Sequence, residues 1–175
     1  QALAEQTSLP ILIYHIPGRA GVSLPPSAIA EIKKRVPSLV GVKHASADLA
    51  FVTETLALCG SDFKIFVGLE ELSFPMMAIG AAGLMNAAGN LLPKQISALA
   101  SAALAGDMAE ARRLHFELFE INHAIFWDTN PTPMKYMMRR LGILPTNEHR
   151  LPMVPASSEL EQRLDALLER LELVD

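Results

Sequence analysis

The feature that most constrains the fold of this chain is the alternation of short, continuous apolar runs with segments of helical periodicity. The runs occupy residues 9–14, 39–43, 63–68 and 82–86. Each run is apolar throughout instead of alternating apolar and polar residues, which is typical of strands covered on both faces. Strands that alternate with helices form parallel sheets. The sequence therefore predicts four parallel strands packed against helices.

Helical patterns lie between the apolar runs and continue alone after the last run. One helix is predicted after Pro25-Pro26 and before Pro37, and others cover residues 48–58 and 71–79. From Pro93 onward strand patterns stop, and helices are predicted at residues 93–105, 107–127, 131–141 and 158–173. Ser158 and Glu161 have the capping-box spacing at the start of the last one. We therefore divide the chain into a βα part, residues 1–106, and a C-terminal helical extension, residues 107–175.

Charge and composition exclude several classes of protein. The chain has 15 basic and 19 acidic side chains in 175 residues, with no basic cluster that would bind nucleic acid. It has no apolar run near the roughly 18 residues that cross a bilayer. Cys59 is the only cysteine, which favours a buried thiol in the reducing cytoplasm. No histidine or cysteine spacing matches a zinc site, so we expect no metal.

Four βα units suggest one half of an eightfold barrel, which needs about 250 residues. The chain begins at Gln1 without a leader-like pattern, so we expect the other half of the barrel to precede it. An open four-stranded sheet is the alternative. A nucleotide-binding sheet of that kind would carry G-x-G-x-x-G after its first strand, and residues 16–21 lack that spacing. We therefore favour the half barrel.

Three side chains near strand ends suggest chemistry. Lys43 ends an apolar strand, and burial there would leave a neutral, nucleophilic amine able to form a Schiff base with a carbonyl substrate. Tyr14 ends the preceding strand, so its phenol would lie at the same mouth and could relay protons. Arg19, on the loop above, could bind a substrate carboxylate. Each has a plainer alternative: an exposed strand-end lysine, a core or interface tyrosine, and a surface arginine.

Two segments around these residues resemble known motifs. They are YHIPGRAGV at residues 14–22 and GVKHASAD at residues 41–48. They resemble the fifth-strand and sixth-strand motifs of the dihydrodipicolinate synthase and N-acetylneuraminate lyase family of class I, Schiff-base aldolases. The Arg19 loop is more similar to the synthase branch. The resemblance continues through residues 66–68, 83–86, 105–107, 130–135 and 150–154.

The resemblance implies a fold and an activity. The fold would be the C-terminal half, strands five to eight, of a (β/α)8 TIM barrel followed by a helical extension. Lys43 would form the imine with pyruvate or another 2-oxoacid, Tyr14 would relay protons, and Arg19 would bind a carboxylate at the entrance. Gly68 and Met85 would line the pyruvate pocket through their backbone. The imine on Lys43 would make a cofactor unnecessary.

The resemblance also implies partners. The substrates would be pyruvate and an aldehyde, and the protein would be a homo-oligomer, either a tetramer or a dimer. Open edges on the outer strands of a half barrel also favour pairing with another chain. The family's carboxylate-binding loop, a Gly-Thr-Thr-Gly-Glu-like segment, belongs to strands one to four. We therefore expect the sequence shown to be inactive alone.

Departures from the family pattern leave the substrate open. His15 and His44 stand where synthases usually carry asparagine and an acidic residue or glutamine, and Leu69-Glu70 replaces an acidic pair. One alternative is therefore a sister 2-oxoacid aldolase or dehydratase (a hydratase-aldolase) acting on sugar acids or aromatic aldehydes, with His15 or His44 shaping its pocket. A second alternative is a non-catalytic half-barrel module that needs a partner chain.

Overall fold

Four parallel strands form one sheet in the computed structural model, which describes residues 1–174. The strands lie side by side in the order β1-β2-β3-β4, and each neighbouring pair is parallel. The predicted parallel strands are therefore confirmed. Their bounds are β1 Ile11–His15, β2 Leu39–His44, β3 Lys64–Val67 and β4 Gly83–Leu84.

The sheet corrects the predicted fold class. We predicted the C-terminal half (strands five to eight) of a (β/α)8 TIM barrel with a helical extension, and this prediction is wrong. The described chain forms an open four-stranded sheet with β1 and β4 at its edges, which is the alternative that we set aside. We rejected the open sheet because the chain lacks a nucleotide-binding loop. That argument failed because an open parallel sheet can serve other functions.

Helices follow every strand. They are α1 Pro17–Ala20 after β1, then α2 Pro26–Arg35, α3 Leu49–Cys59, α4 Ser73–Ala78, and α5 Pro93–Leu104 after β4. Helix α1 was not predicted, because Pro17 and Gly18 were interpreted as breakers. Proline is well tolerated at the first position of a helix, since the amide it lacks would have no partner there. Gly21, at φ 68°, ends this single turn.

The C-terminal helices are α6 Met108–Glu117, α7 Phe119–Ala124, α8 Thr132–Arg140 and α9 Ser158–Arg170. The helix predicted at residues 107–127 is thus divided at Leu118. The cap of α9 is Ser157 rather than Ser158, because its side chain accepts the Leu160 N–H at 3.2 Å. Within residues 1–174, no helix is both long and apolar enough to pass through a bilayer.

Two apolar cores hold these elements. The first lies between the sheet and α2 to α4, and includes Val42, Val52, Ile65 and Met76. The second joins α5 to the C-terminal helices; its members include Leu99, Leu118, Ile121, Met137, Leu164 and Leu168. Because Leu99 belongs to α5, the second core extends across residue 106. The division at that residue stays a prediction.

The two faces of the sheet differ in what covers them. Side chains of Val42, His44, Ile65 and Val67 point to the helices and are buried. Tyr14, Lys43 and Phe66 share one register row on the opposite face, and Tyr14 is 53 % exposed. The sequence predicted strands covered on both sides. The helices among the described residues pack on one of these faces, and coverage of the other face stays a prediction.

Close approach of two strands requires Gly41. A Cβ at this position would lie 2.2 Å from the Lys64 carbonyl oxygen, a rigid backbone atom. We expect Gly41→Ala to lower the free energy of unfolding by about 1–3 kcal/mol, because the strands must separate to admit the methyl group. Urea denaturation measures this change. Gly18→Ala is the matched control, since no atom lies within 4 Å of its added Cβ. Equal effects of the two substitutions would contradict the prediction.

Candidate active site

A cleft of about 680 Å³ opens at the carboxyl end of the sheet. Open parallel sheets bind ligands outside this edge, where loops from several strands meet. The five residues proposed from the sequence all line the cleft; they are Tyr14, Arg19, Lys43, Gly68 and Met85. The structure therefore brings the candidate residues together. Their chemical roles stay predictions.

Lys43 and Tyr14 are the pair that the sequence predicts to be reactive. The two residues are register partners on β1 and β2, so their side chains lie on the same face. The Lys43 Nζ is 4.2 Å from the centroid of the Tyr14 ring, a distance at which an ammonium group is attracted to the ring face. Lys43 is half-buried, and Tyr14 is more exposed. The arrangement places the lysine amine next to the face of the tyrosine ring.

Gly68 leaves room for the Lys43 side chain. A Cβ on Gly68 would lie 3.1 Å from the Cε of Lys43 and 2.9 Å from the Cβ of Ala45. Both distances are shorter than ordinary carbon contacts. The absence of a side chain at the end of β3 therefore lets the lysine pass over the sheet edge toward the cleft.

The amides of Gly68 and Met85 are already engaged in the sheet. Gly68 N–H donates to the His44 carbonyl at 2.8 Å, and Met85 N–H donates to the Val67 carbonyl at 2.8 Å. Neither N–H is free for a ligand. Backbone contacts from these two residues to a bound molecule must therefore use their carbonyl groups.

Arg19 lies at the rim of the cleft, on α1. Its Nη2 donates to the Asn130 carbonyl at 3.0 Å, across a sequence separation of more than one hundred residues. This bond ties the β1 loop to the segment before α8. The remaining guanidinium donors of the exposed side chain can still bind a carboxylate.

Glu70 is the cleft residue that the sequence analysis missed as a functional group. Its side chain is 1 % exposed, and Oε1 accepts the N–H groups of Ala87 at 2.5 Å and Ala88 at 3.2 Å. Among the described residues, Oε2 has no hydrogen-bond partner. Burial raises the pKa of this carboxyl, and its backbone hydrogen bonds and the charge of Lys43 partly oppose the rise.

A signal for Glu70 was present in the sequence. It lies three residues after Val67, the end of β3, so the argument that brought Tyr14 and Lys43 together also applied to it. We treated Leu69-Glu70 only as a departure from a family pattern. The structure shows Glu70 holding the turn after β4 in place beside the lysine.

His15 and His44 do not line the cleft. Both imidazoles are buried on the helix side of the sheet, where they stack on Phe51. The hypothesis that either histidine shapes a substrate pocket directly is therefore wrong. Neighbouring residues of a strand point to opposite faces, so the residue after Tyr14 and the residue after Lys43 must point away from the site.

Metal ligands are not assembled here. Across residues 1–174, no group of three or more histidine, cysteine, aspartate or glutamate side chains is placed to hold a metal ion.

Fold and site together define an α/β protein with a lysine amine and a phenol at the carboxyl edge of a parallel sheet. The dihydrodipicolinate synthetase family model matches residues 1–171. The chain belongs to this family.

Curated relatives agree with that assignment. The 4-hydroxy-tetrahydrodipicolinate synthase of Thermus thermophilus is 47% identical over 161 residues, which cover 92% of this chain and 54% of that protein. The synthase of Oleidesulfovibrio alaskensis is 37% identical over 174 residues, covering 99% of this chain and 59% of that protein. The chain thus spans a little over half the length of these relatives.

Solved structures show the same fold. Dihydrodipicolinate synthase from Aquifex aeolicus matches with a TM-score of 0.95 at 31% identity, over 98% of this chain and 58% of that one. The 4-hydroxy-tetrahydrodipicolinate synthase of Methylacidiphilum fumariolicum matches with a TM-score of 0.93 at 33% identity, over 98% and 57%. These matches are to the synthase fold and do not bear out the predicted C-terminal half.

The buried carboxyl of Glu70 predicts a specific dependence of stability on pH. Because its pKa is raised on folding, the native state binds more protons than the unfolded state above about pH 4.5. The protonated Glu70 carboxyl therefore contributes fully to the free energy of unfolding below that pH. This contribution is lost as the pH rises through the native pKa. We expect Glu70→Gln to remove this loss, so the free energy of unfolding of the variant should rise relative to that of the wild type as the pH increases above about 4.5.

Urea denaturation across this pH range measures the effect. Glu70→Ala should instead destabilise the protein by about 1–3 kcal/mol throughout, because the Ala87 and Ala88 N–H groups lose their acceptor. Glu71→Gln, on an exposed neighbour, is the matched control. Parallel stability curves for the wild type and Glu70→Gln would show that the prediction is wrong.

Proposed function

We propose that this chain carries the reactive lysine of a Schiff-base-forming lyase that joins pyruvate, or another 2-oxoacid, to an aldehyde. The observation that carries the proposal is the Lys43 Nζ held 4.2 Å from the Tyr14 ring at the carboxyl edge of the sheet. Membership of the dihydrodipicolinate synthetase family supports it. Because the chain spans just over half of its relatives, the activity is proposed for the protein that contains it.

The reaction begins with a covalent bond between substrate and lysine. The neutral Lys43 amine attacks the ketone carbon of the 2-oxoacid, and the carbonyl oxygen takes up a proton to give a carbinolamine. Loss of water then leaves a protonated imine. In this proposal the Tyr14 phenol, whose ring centroid lies 4.2 Å from the Lys43 Nζ, supplies and recovers these protons.

Carbon–carbon bond formation follows from the imine. Its positive nitrogen accepts the electron pair left when a proton leaves the methyl carbon, which gives an enamine. The enamine carbon attacks the aldehyde carbon, and the aldehyde oxygen takes up a proton. Water then hydrolyses the new imine and frees Lys43. The imine nitrogen is the electron sink throughout, so we propose that no cofactor takes part.

The other cleft residues have supporting roles in this proposal. Arg19, at the rim, binds a carboxylate of the incoming substrate. Gly68 has no side chain and so leaves room for the Lys43 side chain. The carbonyl groups of Gly68 and Met85 lie next to the bound 2-oxoacid. Glu70 fixes the turn that contains Ala87 and Ala88, beside the imine.

A second candidate has one observation in its favour. Leu69 lines the cleft where an acidic side chain is common in the family, which suits a different second substrate. This candidate is a sister 2-oxoacid aldolase or hydratase-aldolase acting on aromatic aldehydes or sugar acids. Turnover assays with pyruvate and either aspartate semialdehyde or an aromatic aldehyde separate the two. Efficient turnover of aspartate semialdehyde would exclude the second candidate.

We also propose a homo-oligomer, as a dimer or tetramer. Phe116 and Phe119, on α6 and α7, are 67 % and 52 % exposed, and exposed aromatic side chains of this size are typical of interfaces. Sedimentation of the protein that contains this chain would measure its mass. A single-chain mass at micromolar concentration would exclude the oligomer.

Borohydride trapping tests the role of Lys43. Reduction of the whole protein that contains this chain, in the presence of pyruvate, should attach the substrate to Lys43, since the imine is the reducible bond at that amine. Peptide mass analysis locates the adduct. Lys43→Ala should abolish it, whereas Lys64→Ala, an exposed lysine at the opposite end of β3, should leave it unchanged. Trapping on another lysine, or no trapping in the wild type, would overturn the proposed function.

Loss of the Tyr14 hydroxyl should slow the reaction without removing the ring. Tyr14→Phe keeps the aromatic face beneath Lys43 but loses the proton relay, a contribution of about 10²- to 10⁴-fold in rate. The rate of adduct formation measures the loss. Tyr136→Phe makes the same change at a buried tyrosine whose hydroxyl donates to Asp165 instead, so its rate should match the wild type. An unchanged rate in Tyr14→Phe would remove the phenol from the mechanism.

A further inference from the structure

Two buried imidazoles lie directly behind the reactive pair. The Nδ1 atoms of His15 and His44 are 3.0 Å apart, and their rings are parallel within 7°. Both rings also stack on Phe51 of α3, with centroids 4.5 and 4.1 Å away. His15 is 5 % exposed and His44 is fully buried. They follow Tyr14 and Lys43 in sequence, so each shares a peptide unit with a residue of the site.

The hydrogen bonds of the pair fit one arrangement of protons. The Leu24 N–H donates to His15 Nε2 at 3.3 Å, so that nitrogen carries a lone pair and the proton of His15 is on Nδ1. His15 Nδ1–H then donates to His44 Nδ1. The proton of His44 is therefore on Nε2, which donates to the Asp48 carbonyl at 3.1 Å. Every ring nitrogen has a partner when both rings are neutral.

An additional proton disturbs this arrangement. On His44 it can bind only Nδ1, where it faces the His15 N–H. On His15 it can bind only Nε2, where it faces the Leu24 N–H. The Ser23 hydroxyl, 3.2 Å from that nitrogen, can turn to accept it, and the Asp48 carboxylate at the start of α3 favours a positive charge. Burial outweighs these effects and lowers the pKa of both histidines.

The groups that face the pair come from every element packed against it. On the sheet, the neighbour of each ring is the other histidine. The segment before α2 contributes Ser23 and Leu24. The start of α3 contributes Asp48 and Phe51. Asp48 is the charged side chain that acts on both rings. The pair thus connects the ends of β1 and β2 to two helical segments.

We propose that His15 and His44 are positioning residues, a neutral hydrogen-bonded pair that fixes the spacing of Tyr14 and Lys43 and releases it when acid protonates either ring. Because the two rings join adjacent strand ends from the helix side, they restrain the peptides that carry the phenol and the amine on the other side. Misplacement by about 1 Å at a reacting centre can cost 10²-fold in rate.

The protonation pattern can be measured without any assay of activity. Nitrogen-15 NMR of histidine-labelled protein should show His15 protonated on Nδ1 and His44 on Nε2, with both rings neutral at about pH 7. Spectra of His15→Asn and His44→Gln assign the signals. Each ring should take up a proton only at a pH below about 6.5, the ordinary pKa of histidine. Protonation of either ring at or above that value, or Nε2–H tautomers on both, would overturn the proposal.

The kinetic test rests on the proposed function and uses borohydride trapping at Lys43 as a function of pH. The wild type should show an inflection below about pH 6.5. The double variant His15→Asn, His44→Gln cannot titrate at these positions. It should lose the inflection, and loosened positioning should slow trapping about 10- to 100-fold at about pH 7.5. His123→Gln, on the exposed face of α7, should keep the wild-type profile.

The outcomes of the two measurements separate the two proposals. An inflection that persists in the double variant, or a rate within about threefold of the wild type at about pH 7.5, would overturn the positioning role. Absence of any adduct in the wild type would overturn the proposed function, while the NMR tautomers would still decide the state of the histidine pair. A double variant that does not fold would leave the NMR result to decide.

Discussion

Hydrogen bonding between the parallel strands β1, β2 and β3 sets the geometry of the site. The register pairs Tyr14 with Lys43 and Lys43 with Phe66, and one residue further along it pairs His15 with His44. Side chains of paired residues lie on the same face, whereas successive residues alternate. One register therefore creates two rows, the first on the face that carries Tyr14 and Lys43 and the second facing the helices. A slip of one residue would exchange them.

Backbone atoms near the strand ends have little freedom left. Gly68 N–H and Met85 N–H complete the sheet, and Glu70 ties the turn after β4 to the segment after β3. Burying that carboxyl is costly, and its two amide partners offset part of the cost. The cleft is consequently lined by groups whose positions are fixed before a ligand arrives, and preorganised sites of this kind favour catalysis.

Much of this molecule could be predicted from its sequence because the signals were local. The apolar runs gave the four parallel strands, and strand ends brought Tyr14 and Lys43 to one edge. The position of Glu70 after a strand end was also visible in the sequence, but its bonds to Ala87 and Ala88 were not, because those residues are distant in sequence. The predicted half barrel was wrong because closure of a sheet depends on which edges pair, and no local pattern reports that.

The sequence by itself determined the strand and helix order, the parallel arrangement and the family, since hydrophobic periodicity and motifs are written along the chain. Only the tertiary structure decided that His15 and His44 form a buried pair behind the site. Their partners, Ser23, Leu24 and Asp48, come from two different loops. The structure also decided which face of the sheet the helices among the described residues cover. Both outcomes depend on packing between distant segments, and such contacts have no period or spacing that a sequence displays.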